Sequence, residues 1–381
     1  MRVYLDHNAT TPLREEVVDA MLPALRDVYG NPSSTHEEGV LARRIVEQAR
    51  HQVSSLTGCA PGDVMFTAGA TEANNALVQA LRTGSVPWQR MITTTVEHPS
   101  VGEPVTQAAA VGHEVTTVGV DAAGRIDLVA LEAALVGPPA LVSVLWANNE
   151  TGVLQPAEAI AERVRAAGSF LHLDATQALG KTPVDVSGLG AHWISCSAHK
   201  LNGPKGVGAL IAADAPEVPA LLIGGPQERR QRGGTENVAS IAGLGAACAL
   251  AGEELPERMA RYGALRDQLW HGLEAQLDGV RWNGGEGTVL VNTLSVEFEG
   301  AASDVLLQAL DIEGVAASAG AACHSGSVSP SHVLVAMGRT AEQARGTLRL
   351  SGGHGNDEEQ IDWAIDRLVE LVPRARQAAR A

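Results

Sequence analysis

The sequence predicts an α/β fold with a mostly parallel sheet, joined to a smaller α+β unit, and three observations lead there. Short apolar runs rich in β-branched residues alternate with longer helical patterns through the first two-thirds of the chain, the mark of parallel strands linked by helical crossovers. That rhythm changes near 251–256, where a long amphipathic pattern from 257 to about 277 precedes a strand-like run at 293–297. The length of 381 residues accommodates one large unit and one small one. The strand candidates of the first part are 63–67, 90–94, 114–118, 140–146, 169–174, 193–197 and 207–211, which gives a seven-stranded sheet. Helical patterns such as 73–82 and 157–167 lie between them. Residues 13–253 are expected to form the large domain, and residues 1–12 with 254–381 the small one. The stretch 314–331 is rich in Gly, Ala and Ser, a composition usual for flexible linkers, but it contains Cys323.

Composition narrows the function. Apolar residues make up 45% and charged residues 19% of the chain, the balance of a soluble globular protein. The 28 Lys and Arg against 44 Asp and Glu give a formal charge of −16, which leaves no basic excess for a nucleic-acid binder. Cys59, Cys196, Cys248 and Cys323 show no short mutual spacing, so neither a disulfide framework nor a zinc ribbon is expected. The start, MRVYLDHNATTPL, lacks the basic and apolar regions of a secretory leader, and no apolar run is long enough to span a membrane. A cytoplasmic protein is the expectation.

Three segments place chemistry at strand ends. In Ser195-Cys196-Ser197-Ala198-His199-Lys200 an apolar strand runs out into a Gly- and Pro-containing turn. A lysine there stands where α/β proteins bind ligands, and its amine is able to form a Schiff base; a solvated loop lysine is the competing reading. In Phe170-Leu171-His172-Leu173-Asp174-Ala175-Thr176-Gln177 an acid closes a continuous apolar strand. Such a carboxylate needs a facing cation, for which a protonated pyridine nitrogen would serve; a helix N-cap is the alternative. In Phe66-Thr67-Ala68-Gly69-Ala70-Thr71-Glu72 a strand leads through Gly-Ala-Thr into a helix, a natural phosphate cradle, although Thr71 by itself also reads as a cap. His98, in Val96-Glu97-His98-Pro99-Ser100, and Asn149, in Asn148-Asn149-Glu150-Thr151-Gly152, follow further strand ends.

Nucleotide and metal readings fail. Gly180-Lys181-Thr182 lacks the earlier glycine of a phosphate-binding P-loop, because Ala175 stands in its place. Gly243-Leu244-Gly245 lacks the third glycine of a dinucleotide fingerprint, and His172, Asp174 and His199 have no spaced ligand partners. A Schiff-base lysine, a buried acid and a helix-start phosphate cradle together describe a pyridoxal phosphate site.

With those residues identified, the chain closely resembles the NifS/IscS-type cysteine desulfurases of the class V aminotransferase superfamily. The resemblance rests on YLDHNATTPL, YGNPSSTHEEG, FTAGATEANN, VEHPS, NNETGVLQP, HLDATQALGK, SAHKLNGPKGVGAL, RGGTENV, SAGAACHSGSVSPSHVL and GTLRLS, in that order, from residue 4 to about 352. It implies the fold type I of pyridoxal phosphate-dependent transferases, with pyridoxal 5'-phosphate on Lys200, Asp174 against the pyridine nitrogen, Gln177 at the phenolic oxygen and His98 over the ring. It implies phosphate contacts from Ala70, Thr71, Ser197 and His199, with Thr235 contributed across a homodimer interface. Asn149 would stand near both the ring and the substrate L-cysteine, and Arg349 would clamp the substrate carboxylate through its bidentate fork. Cys323 matches the nucleophile that takes the sulfur as a persulfide, for delivery to an acceptor protein in iron–sulfur cluster, other sulfur-cofactor or tRNA-thiolation biosynthesis. One segment departs from the pattern: the family's Ser-Ser-Gly-Ser-Ala-Cys reads Ser318-Ala319-Gly320-Ala321-Ala322-Cys323 here. A selenocysteine lyase, another C–S lyase or an aminotransferase of the same fold is the alternative.

Overall fold

The computed structural model describes residues 1–319 and 330–379. In chain order the strands among them are β1 (Val3–Tyr4), β2 (Val64–Thr67), β3 (Arg90–Thr94), β4 (Glu114–Val118), β5 (Ala140–Leu145), β6 (Phe170–Asp174), β7 (Trp193–Ser197), β8 (Gly208–Ala212), β9 (Val280–Trp282), β10 (Thr293–Phe298), β11 (Val315–Ala316) and β12 (Thr347–Ser351). Seven of them form one sheet in the order β2-β8-β7-β6-β5-β3-β4. Only β8 runs against its neighbours, so the sheet is mostly parallel, as expected.

Strands β3, β5 and β7 are buried along their whole length and β6 and β8 at all but one end residue, which is why they read as apolar runs rather than alternating ones. Edge strand β4 is more exposed, with only Val118 buried. Three expected strand starts move by one residue: β6 begins at Phe170 rather than Ser169, whose N–H donates to the Val164 carbonyl outside the ladder. Asp63 closes a short helical turn in which its carboxylate accepts the Ala60 N–H at 2.9 Å, so β2 begins at Val64. Likewise β8 begins at Gly208, because the Val207 carbonyl accepts the Ala198 N–H outside the ladder.

Helices cover both faces. Glu15–Arg26, Glu37–Thr57 and Val238–Glu253 pack on one side through Val17, Val46, Ala49, Val53, Leu244 and Cys248. Ala70–Thr83 and Pro99–Ala110 pack on the other through Leu77, Leu81, Val101 and Val105, beside Trp88 and Trp193. Gly245, in the failed dinucleotide motif, serves helix packing instead: a Cβ there would lie 2.6 Å from the Ala49 Cα. A second core is built by the antiparallel sheet β12-β10-β9, the β1–β11 pair and the helices Leu255–Gln276, Ser303–Ile312 and Glu358–Ala378. Among the described residues, no single helix is long and apolar enough to cross a membrane.

Candidate active site

The carboxyl ends of β5, β6 and β7 and the starts of two helices meet at one cavity of about 650 Å³. It is lined by Ala70, Thr71, His98, Asn149, Asp174, Gln177, Ser197, His199 and Lys200, nine residues singled out from sequence at strand ends and helix starts far apart in the chain. A doubly wound sheet places its ligand crevice there because the loops leave successive strands at that edge.

Lys200 ends the short turn after β7. Its Nζ donates to the Asn8 carbonyl at 2.6 Å and the Ala9 carbonyl at 2.7 Å. Burial and the neighbouring Arg349 charge lower its amine to about 8, against the pull of Asp6 and Asp174. A lysine in that condition supplies free amine close to neutrality.

Asp174 ends β6 and is buried, with no cation paired to it among the described residues. Its Oδ2 accepts from Asn74 Nδ2 at 2.8 Å and its Oδ1 from the Thr176 N–H at 3.0 Å. The same Asn74 amide donates to Ser100 Oγ at 2.9 Å, and Ser100 Oγ lies 2.8 Å from His98 Nδ1. His98 Nδ1 also accepts the Ser100 N–H, capping the helix Pro99–Ala110. Nδ1 is therefore an acceptor, which assigns the imidazole proton to Nε2. Burial lowers the His98 pKa and keeps the ring neutral near pH 7. Beside it, burial raises the Glu97 carboxyl to about 8; its Oε1 accepts from Thr94 Oγ1 at 2.7 Å and the Leu145 N–H at 3.0 Å, while Oε2 has no partner among the described residues.

The helix Ala70–Thr83 starts at the cavity, so the unpaired N–H groups of its first turn and its positive end face it. The cradle is tight: a Cβ on Gly208 would lie 2.8 Å from the Gly69 Cα. Ser197 and His199 flank this end; burial and the nearby lysines lower the His199 imidazole to about 4, and its Nδ1 lies 3.2 Å from Thr10 Oγ1.

Three expected residues stand elsewhere. Arg349, in β12, is buried beside the cavity but does not line it; Nη2 pairs with Asp6 at 2.6 Å and Nη1 donates to the Asn149 carbonyl at 3.0 Å, while Nε has no partner among the described residues. Thr235 is exposed in a neighbouring cavity of about 230 Å³ that shares Ala68 and Gly206 with the first. Cys323 lies outside the described residues. Sequence reasoning missed Asn8, Asn74, Ser100, Thr176 and Lys181. Asn74 stands three residues after Thr71, on the inward face of the same helix, which was the available signal.

Residues 3–363 match the model of the aminotransferase class-V family. The chain belongs to that family. It is 41% identical over 374 residues to a protein named cysteine desulfurase 2 from Trichormus variabilis, spanning 98% of this chain and 94% of that one. It is equally similar, over the same shares, to the cysteine desulfurase of Trichormus azollae. A solved structure named NifS-like protein superposes with a TM-score of 0.92 at 35% identity, covering 98% of this chain and 100% of the other.

The cofactor of this family is pyridoxal 5'-phosphate, and the residues present fit it. A buried carboxylate without a cation, an amine tuned toward neutrality and a helix start pressed against Gly208 match the ring nitrogen, the aldehyde and the phosphate in turn. The buried Thr176 Oγ1, which lines the cavity without a partner among the described residues, is a further polar group for such a ligand.

Proposed function

We propose that this protein is a cysteine desulfurase, which converts L-cysteine to L-alanine and passes the sulfur to its own Cys323 as a persulfide. The reading is carried by the cavity that gathers Lys200, Asp174 and His98 in a chain so similar to relatives of that name. Bound pyridoxal phosphate supplies the electron sink for the substrate's α-carbon. Asp174 holds the positive ring nitrogen, and the Asn74 and Thr176 donors hold Asp174. The Lys200 amine moves the proton at the α-carbon, and His98 Nε2 moves the proton at the substrate sulfur. Arg349 and Asn149 orient the substrate carboxylate; Arg349 Nε has no partner among the described residues, while Asp6 fixes the other side of the guanidinium. The Cys323 thiolate attacks the substrate sulfur, so the carbon–sulfur bond breaks as the sulfur–sulfur bond forms.

Residues 13–253 form the domain that holds the coenzyme, and residues 1–12 with 254–381 the domain that brings Arg349 and Cys323. The working unit is a cytoplasmic homodimer in which Thr235 of one copy completes the phosphate site of the other; its exposure outside its own cavity supports that role. The sulfur goes on to an acceptor protein serving iron–sulfur cluster, sulfur-cofactor or tRNA-thiolation synthesis.

The test is incubation with L-cysteine and a reductant, with alanine and sulfide assayed together in wild type and Cys323→Ser. Equal yields of both products, lost together in the variant, support the proposal. Product formation that survives the substitution favours another C–S lyase of this fold, and an active selenocysteine reaction alone favours a selenocysteine lyase.

A further inference from the structure

Only three of the 28 basic residues of this chain are lysines, Lys181, Lys200 and Lys205; the rest are arginines. Lys200 and Lys205 line the coenzyme cavity. Lys181 stands immediately behind it, buried and in no ion pair among the described residues, and its Nζ donates to Gln177 Oε1 at 2.7 Å. A buried ammonium without a carboxylate is costly. In a chain that uses arginine almost everywhere else, a lysine kept in such a place points to a use specific to its compact, donor-only head.

The use is visible in the partner. A primary amide presents two different ends, and what faces each end decides which is which. Lys181 offers only donors when charged, and two N–H donors even when neutral, so Gln177 turns its oxygen to it. The N–H₂ end is thereby directed the other way, where Nε2 donates to the Asn8 carbonyl at 2.9 Å, and Gln177 itself lines the cavity. That carbonyl also accepts from Lys200 Nζ at 2.6 Å. The turn that carries Lys181 back under Gln177 depends on Gly180, at φ +73°, where a Cβ would lie 2.6 Å from Leu201 Cδ2.

We propose that Lys181 is a positioning residue, which locks the Gln177 amide with its N–H₂ end facing the coenzyme. This inference rests on the coenzyme reading above. The charged and titratable groups around the pair are Lys200, Arg349 and Arg258, which with burial bring the Lys181 amine down to about 7, and His7 and His199, both lowered in turn by Lys181 among other causes. Asp6 and Asp174 act on Lys200 in the opposite sense, raising its amine. An amide donor aimed at the coenzyme's phenolic oxygen favours its anion, so losing the donor raises the pH at which the coenzyme's visible absorption band titrates.

The experiment uses coenzyme-loaded wild type, Lys181→Met and Lys181→Gln, each followed by absorbance against pH and by thermal unfolding. Lys181→Met is expected to raise the band's midpoint by about one pH unit. Lys181→Gln, which keeps an N–H donor for Oε1 without the charge, is expected to stay closer to wild type. In a Gln177→Leu background, Lys181→Met is expected to add little further shift. Equal shifts in the Met and Gln variants would overturn the proposal in favour of a pure charge effect. A lowered melting temperature with an unmoved midpoint would overturn it in favour of a structural role. Should wild type itself fail to hold the coenzyme on Lys200, the coenzyme reading falls, and that result is distinct from any in the variants.

Discussion

Gly208 offers the sharpest test of how the phosphate end of the cavity is made. It sits in β8 opposite Thr67 of β2 and Ser197 of β7. A methyl group there would lie 2.8 Å from the Gly69 Cα and 2.9 Å from its carbonyl carbon, and would also crowd the Cys196 carbonyl. All three obstacles are backbone atoms, so no side chain is able to swing aside. Relief requires Gly69 to move, and Gly69 is the residue from which the helix Ala70–Thr83 begins. Overpacking of this kind costs about 1–3 kcal/mol. If that cost falls on the cradle, Gly208→Ala weakens pyridoxal phosphate binding between roughly 5- and 150-fold. Titration of the coenzyme-free protein, followed by the visible absorbance, measures it. Gly252→Ala is the control, since its Cβ would meet only Leu56 Cδ1, at an ordinary 3.5 Å. Wild-type affinity in Gly208→Ala would refute the idea that this close approach shapes the site.

Other consequences follow from the same geometry. His98→Ala should retain the coenzyme band while its turnover of L-cysteine falls by about 10²–10⁴-fold, the usual contribution of a general acid–base group; steady-state kinetics with the loaded variant decide this. Because the Lys200 amine is lowered to about 8, the fraction able to capture the coenzyme falls with pH below that value. Stopped-flow capture by coenzyme-free protein should therefore accelerate up to about pH 8 and level above it; a rate still climbing through pH 10 would mark an ordinary lysine. Burial pushes the Cys196 thiol up to about 12 and raises that of Cys248 as well, so neither should react with iodoacetamide at pH 7.5 until the protein is unfolded, as mass spectrometry of digests would show.

The sheet was legible because strands such as β3, β6 and β7 are enclosed on both faces and carry their burial as continuous apolar runs. The candidate site was legible because the ligand crevice of an α/β protein lies where strands end, and local reading puts both Asp174 and Lys200 there. The supporting contacts were not. The chain from Asp174 through Asn74 to Ser100 and His98 joins three segments, and the Asp6–Arg349 pair spans 343 residues; no local period or spacing betrays how these segments meet. Lys181 stood in a motif weighed only as a nucleotide loop, and its role depends on a fold-back under Gln177. The helix Ala70–Thr83 starts three residues before the periodic pattern does, because Ala70, Thr71 and Glu72 serve its first turn rather than the core stripe.

The central claim, that Lys200 is the residue to which the coenzyme is joined, is open to direct measurement. Loaded protein is reduced with borohydride, digested and mapped by mass spectrometry; only Lys181, Lys200 and Lys205 are available as modified lysines. The account predicts the reduced coenzyme on Lys200 alone. Its appearance on Lys181 or Lys205, or a protein that takes up no coenzyme, would contradict it.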